Sequence, residues 1–204
     1  MNQVPRRRTQ FYLLVLLFFG PLAAAVLLYF VFPQWQPQGR TNYGELITPA
    51  RPLPTLALVD ADGGAHGDEA LRGRWTWLFV GGGACDPGCA EQLYQYRQIR
   101  TLLNDKRRRV RRVYIAPDAA ALPALRQQLA TLHPDLQLYA PADAAAATTL
   151  HDALRAPGTA AGSPGVVYLI DPLGNWLMVY RPDADSKGVL ADIKKLLSIS
   201  QIDA

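Results

Sequence analysis

Apolar positions along the chain fall into one long block followed by short, separated runs. From Phe11 to Phe32 there is no charged or amide side chain. A helix of that length spans roughly 33 Å at about 1.5 Å per residue, enough to cross a hydrocarbon core of about 30 Å. Beyond it, Pro33 to about Pro54 is rich in Pro, Gln, Gly and Asn with little periodicity, and reads as a linker. Short runs then alternate with longer helical patterns. Thr55–Asp60 reads as a strand closed by the Asp62-Gly63-Gly64 turn, and Trp75–Val80 as a buried strand. Leu93, Tyr96, Ile99 and Leu102 or Leu103 mark a helix over Ala90 to about Asp105, and Val110–Ala116 returns to strand. A helix over Leu122–Leu132, a strand at Leu136–Tyr139 and a helix over Asp143–Arg155 follow. Val166–Asp171, a turn at Pro172-Leu173-Gly174-Asn175 and Trp176–Tyr180 predict a hairpin, before a last helix over Ser186–Ile199. This order predicts an α/β domain with a mixed central sheet and flanking helices.

The apolar block must be weighed against a cleaved signal peptide, because Arg6, Arg7 and Arg8 precede it and Ala23-Ala24-Ala25 lies within it. Its length favours an anchor: signal-peptide cores run to about 7–15 residues, whereas Val26 to Phe32 continues past the alanines. Tyr12, Tyr29 and Trp35 fall where interfacial aromatics belong. A membrane helix tolerates Pro21. With three arginines before the span, the positive-inside rule puts residues 1–10 in the cytoplasm, 11–32 across a bacterial inner membrane, 33–53 in a linker and 54–204 in a periplasmic domain. Setting those arginines apart from the 21 basic residues leaves 18 against 17 acidic ones. The external part is then nearly neutral, and the charge gives no case for nucleic-acid binding. One local exception is Lys106–Arg112, basic at every position but Val110. It reads either as a solvated helix end or as a docking surface for an acidic partner or anionic lipid headgroups.

The chemistry concentrates in Cys85-Asp86-Pro87-Gly88-Cys89, which holds both cysteines of the chain. The segment lies between an apolar strand and a helix, behind Gly81-Gly82-Gly83. Residues four apart at a helix start lie roughly 6 Å apart, within the separation that a disulfide allows. Unpaired amides and the helix dipole favour a thiolate there, which suits a nucleophile or a soft-metal ligand such as one for Cu(I). The plain alternative is a stabilising disulfide, but a loop this short removes little entropy from the unfolded chain.

Taken with Leu71–Val80 and Val166–Gly174, this CxxxC resembles the Sco family of membrane-anchored copper chaperones for cytochrome c oxidase, over roughly Pro54–Leu197. The resemblance implies a thioredoxin-like fold behind one transmembrane helix, with copper bound by Cys85, Cys89 and a histidine before the hairpin. It also implies delivery of copper to the oxidase's copper-bearing subunit, or reduction of that subunit's cysteines. The family's histidine position falls on Ser163. A hydroxyl is a poor Cu(I) ligand, whereas thiol exchange needs only the cysteines. The expectation is therefore a Sco-like thiol-disulfide reductase assisting oxidase assembly. Cys85, nearer the loop and solvent, would attack and Cys89 would resolve. A two-thiolate Cu(I) chaperone and a non-catalytic scaffold stand as alternatives. His66, His133 and His151 read as structural or exposed, with His151 the nearest rescue ligand in sequence. Met178 reads as core, and Pro164 as a cis-proline facing the cysteines.

Overall fold

The computed structural model describes residues 5–31, 42–155, 163 and 165–200. Two compact units divide at Asn42. The first is a helix, α1, over Pro5–Val31, which runs through Pro21. From Arg8 to Val31 it is long and apolar enough to cross a membrane.

The second unit is built on β1 (Glu45–Pro52), β2 (Leu58–Asp60), β3 (Ala65–His66), β4 (Trp75–Val80), β5 (Val110–Ile115), β6 (Leu136–Pro141), β7 (Val167–Ile170) and β8 (Asn175–Tyr180). Its helices are α2 (Pro87–Thr101), α3 (Leu122–Leu129), α4 (Ala144–Ala153) and α5 (Ser186–Ile199). The eight strands form one sheet in the order β1-β8-β7-β4-β5-β6-β2-β3. β4, β5 and β6 are parallel to one another, and the other neighbours are antiparallel.

Strand β4 is central and apolar but for Thr76, as expected of a strand covered on both faces. Its side chains alternate: Trp75, Trp77 and Phe79 join one core with residues of α2, α3 and α5, whereas Leu78 joins a second core with Leu150 and Leu154. The same two-residue period sends Val167 and Leu169 of β7 to the first core and Tyr168 and Ile170 to the second. Aspartates start three helices: Asp86, Asp143 and Asp185 each accept backbone N–H bonds at the first turn of α2, α4 and α5.

Two expectations are corrected. The stretch read as linker contains β1, which pairs with β8 and begins at Glu45 opposite Val179. Prolines at 49 and 52 obscured it, yet an edge strand is where a sheet accepts proline. The buried carboxylate of Asp192 fixes its entry by accepting the N–H groups of Tyr43 and Gly44, the latter at 2.8 Å. The basic run, secondly, is not one solvated helix end. Asn104–Arg109 is a 3₁₀ turn leading into β5. Arg109 donates to the carbonyls of Leu197 and Ser200 at the end of α5, and Arg111 to Thr76 Oγ1 and the Arg72 carbonyl. Arg112 is fully buried on Asp135 and the Leu93 carbonyl. Lys106, Arg107 and Arg108 alone in the run are exposed.

Candidate functional site

β4 delivers the chain to the cysteines at its carboxyl end, and Gly81 lets it pass close beside Tyr114 there. The Gly81 N–H continues the ladder by donating to the Ile115 carbonyl at 3.1 Å. A Cβ on Gly81 would collide with the Tyr114 hydroxyl, which itself donates to the Gly82 carbonyl. Burial, reinforced by the charge of Asp86, pushes the Tyr114 phenol above its usual pKa, so it stays a donor at neutral pH. α2 then begins at Pro87, with Asp86 as its cap accepting the Cys89 N–H at 2.8 Å. Asp-Pro at the cap and first helical position is a strong local start signal.

The two cysteines are joined as a disulfide, with Cα atoms 5.3 Å apart. Their environments differ in the sense opposite to the expectation. Cys85 is buried, 5% exposed, whereas Cys89 is partly exposed. The cause is Gln128 on α3, whose Oε1 accepts the Cys85 N–H at 3.0 Å and whose Nε2 donates to the Cys85 carbonyl at 2.6 Å. This pair of hydrogen bonds draws Cys85 into the core beneath α3 and leaves Cys89 on the open side of the first helical turn. Cys89 borders a cavity of about 710 Å³ whose walls include Gly81, Gln92, Tyr114, Gly165 and Pro182.

Gln92, three residues after Cys89 and hence on the same helical face, reaches over to donate to the Gly165 carbonyl at 2.6 Å. The loop before β7 is thereby tied to the cysteine-bearing helix. Ser163 lies in that loop, where its carbonyl accepts the Val166 N–H. Pro164, expected as a cis-proline, falls outside the described residues. Sequence spacing could have singled out Gln92. Gln128 carried no such signal, being 43 residues from its partner.

The histidines do not join the cysteines. His151 is exposed on α4, which packs on the other core from Cys85. His66 on β3 bonds Asp60 at 2.7 Å, and this bond, with the N–H groups of Gly64 and Asp62, lowers the Asp60 carboxyl to about 2. His133 is buried beside Arg112, and burial together with the charges of Arg112 and Arg97 lowers its pKa. Met178 is buried in the first core, as expected. Among the described residues there is no group of three or more His, Cys, Asp or Glu side chains that could hold a metal ion. The donors present therefore do not make a three-ligand copper site. In the reduced state the two sulfurs alone could take Cu(I), as cargo.

Residues 75–200 match the model of a family described as transmembrane-like, thioredoxin-like, C-terminal domain. The chain belongs to that family. No curated protein matches it in sequence. Solved structures give the same fold. Apo Sco1 from Thermus thermophilus is similar at 20% identity with a TM-score of 0.62, covering 76% of this chain and 97% of that one. Yeast Sco1 with copper bound is similar at 17% identity and 0.59, covering 74% and 91%. ScoI from Bradyrhizobium japonicum with copper bound is similar at 21% identity and 0.54, covering 70% and 97%. The domain is thus a thioredoxin-like sheet with flanking helices, in a chain that also carries one candidate transmembrane helix.

Proposed function

We propose that the protein is a membrane-anchored, periplasmic thiol-disulfide reductase of Sco type, which keeps the copper-site cysteines of a haem-copper oxidase subunit reduced during assembly. The observation that carries this reading is the asymmetric CxxxC: one sulfur-bearing residue buried and held by Gln128, the other opening on a cavity large enough for a partner's chain. Starting from the dithiol, which an upstream thiol donor must supply, the Cys89 thiolate attacks one sulfur of the partner's disulfide. A mixed disulfide forms and the partner's other sulfur leaves as a thiolate. Cys85 then attacks Cys89, releasing the partner with two thiols and leaving the Cys85–Cys89 disulfide. Two electrons pass to the partner, and each thiolate released takes up a proton. Cys85 and Cys89 are four residues apart with Cα atoms 5.3 Å apart, so closing their disulfide needs no large movement of the fold.

The attacker is thus Cys89 rather than Cys85, the reverse of the order expected from the sequence. The test is a trap. The reduced Cys85→Ser chain, mixed with an oxidised copper-site domain of the oxidase, accumulates a mixed disulfide through Cys89, while Cys89→Ser does not. Trapping by Cys89→Ser but not by Cys85→Ser would reverse the roles. Trapping by neither would remove the reductase reading.

A second reading, a Cu(I) metallochaperone using the two thiolates, is favoured by the fold shared with copper-bound relatives. An anaerobic Cu(I) titration of the reduced chain against a competing chelator separates the two. Tight one-to-one binding abolished in the Cys85→Ser, Cys89→Ser double variant supports carriage, and its absence supports reduction alone.

A further inference from the structure

We infer that Lys106, Arg107 and Arg108, with Arg74 beside them, form a docking surface for an acidic protein segment at the end of the domain remote from the cysteines. The fold sorts the basic run into two sets. Arg109, Arg111 and Arg112 are taken up by carbonyls, a hydroxyl and a carboxylate. Lys106, Arg107 and Arg108 are exposed, and among the described residues their side chains make no hydrogen bond or ion pair.

Arg107 and Arg74 also lie near further cations. Burial lowers the Arg100 pKa; Asp135 opposes this, and the charges of Arg112, Arg107 and Arg74 lower it further. Arg111 is lowered chiefly by burial and also by Arg74, against the opposing effect of Tyr139. Asp105 is the one acidic residue of the 104–109 turn. Uncompensated like charges destabilise a fold, so an arrangement that keeps them on the surface gains when an anion is supplied from outside. Because the set is rich in guanidinium groups, it matches carboxylates, which arginine holds in a two-pronged geometry.

Position suits a protein as the source of that anion, because the surface lies apart from the cysteines that a partner would engage on the reading proposed above. The turn precedes β5 and Arg74 precedes β4, so both lie at the amino ends of the parallel strands. The cysteines follow β4 at its carboxyl end, and β1 enters there too, opposite Val179 of β8. The basic surface is therefore at the opposite end of the domain from the cysteines and from the start of β1. β4 sets the two poles about 17 Å apart, so an acidic partner docked at one leaves the cysteine cavity open at the other.

The test uses the full chain in nanodiscs of phosphatidylcholine, with a fluorescent decaglutamate peptide as one probe and phosphatidylglycerol vesicles as the other. Peptide binding at about 50 mM salt that fades toward about 500 mM is expected. The Lys106→Glu, Arg107→Glu, Arg108→Glu variant should bind at least about tenfold more weakly. A control with as many reversals elsewhere, at Arg51, Arg155 and Lys187, should bind the peptide as the parent does. Circular dichroism checks that both variants are folded. Equal weakening by the control, undiminished binding by the triple variant, or no peptide binding would overturn the proposal. Recruitment of vesicles without peptide binding would assign the surface to lipid instead.

Discussion

Asp135 serves two arginines at once, accepting from the fully buried Arg112 at 2.6 Å and pairing with Arg100 at 3.2 Å. Burial pushes its carboxyl up, but the Arg112 hydrogen bond and both positive charges outweigh this and hold it below the usual carboxylate range. Replacing it by Ala leaves a buried guanidinium without its counter-charge, at a cost of about 3 kcal/mol, the low end for broken buried pairs because Asp135 is partly open to water. The sign of the pH effect follows from the lowered pKa: the contribution is complete above the unfolded value near about 4 and is lost as pH falls through the lower folded value. Denaturant midpoints between about pH 7 and pH 2 should therefore fall more steeply for the parent than for Asp135→Ala. At the cysteines, Gly81→Ala forces a methyl against the Tyr114 hydroxyl and should cost about 1–3 kcal/mol, read as a lower melting temperature. Much at this scale escaped the sequence. The roles of Arg112, Gln128 and Tyr114 depend on neighbours remote in the chain, and a run of arginines looks the same whether its side chains meet carbonyls or water.

Among the elements, those with a strong internal period were readable from the chain alone. Ser186–Ile199 and Trp75–Val80 stand where the pattern places them, because their apolar positions follow one face of a helix or fill a strand covered on both sides. β1 was not readable: it is short of apolar residues, carries prolines, and is stabilised by pairing with β8 rather than by its own composition. Asp192 makes that pairing start at Glu45 by taking two backbone N–H groups in a buried place. Asp192→Ala should thus orphan both donors at about 1–3 kcal/mol. Hydrogen exchange at residues 43–46 should rise well before that of β4 does, and unchanged protection would show that β1 holds its place without the carboxylate.

For the molecule as a whole, the pairing of the cysteines was legible because both sit in one short segment between a buried strand and a helix. Which cysteine meets solvent was not, since sequence cannot tell that α3 would reach the Cys85 backbone. The resulting picture is a domain in a chain with one candidate transmembrane helix, with a cysteine pair at one end of the domain and a basic surface at the other. Reduction of a partner's disulfide by the two thiols is read out by a thiol count on both proteins. Reduced full-length chain is mixed anaerobically with an oxidised oxidase copper-site domain, quenched by alkylation and weighed by mass spectrometry. Two thiols should appear on the partner for each Cys85–Cys89 disulfide formed, and no partner thiols should appear with Cys89→Ser. A partner that stays oxidised while the chain keeps both thiols would contradict it.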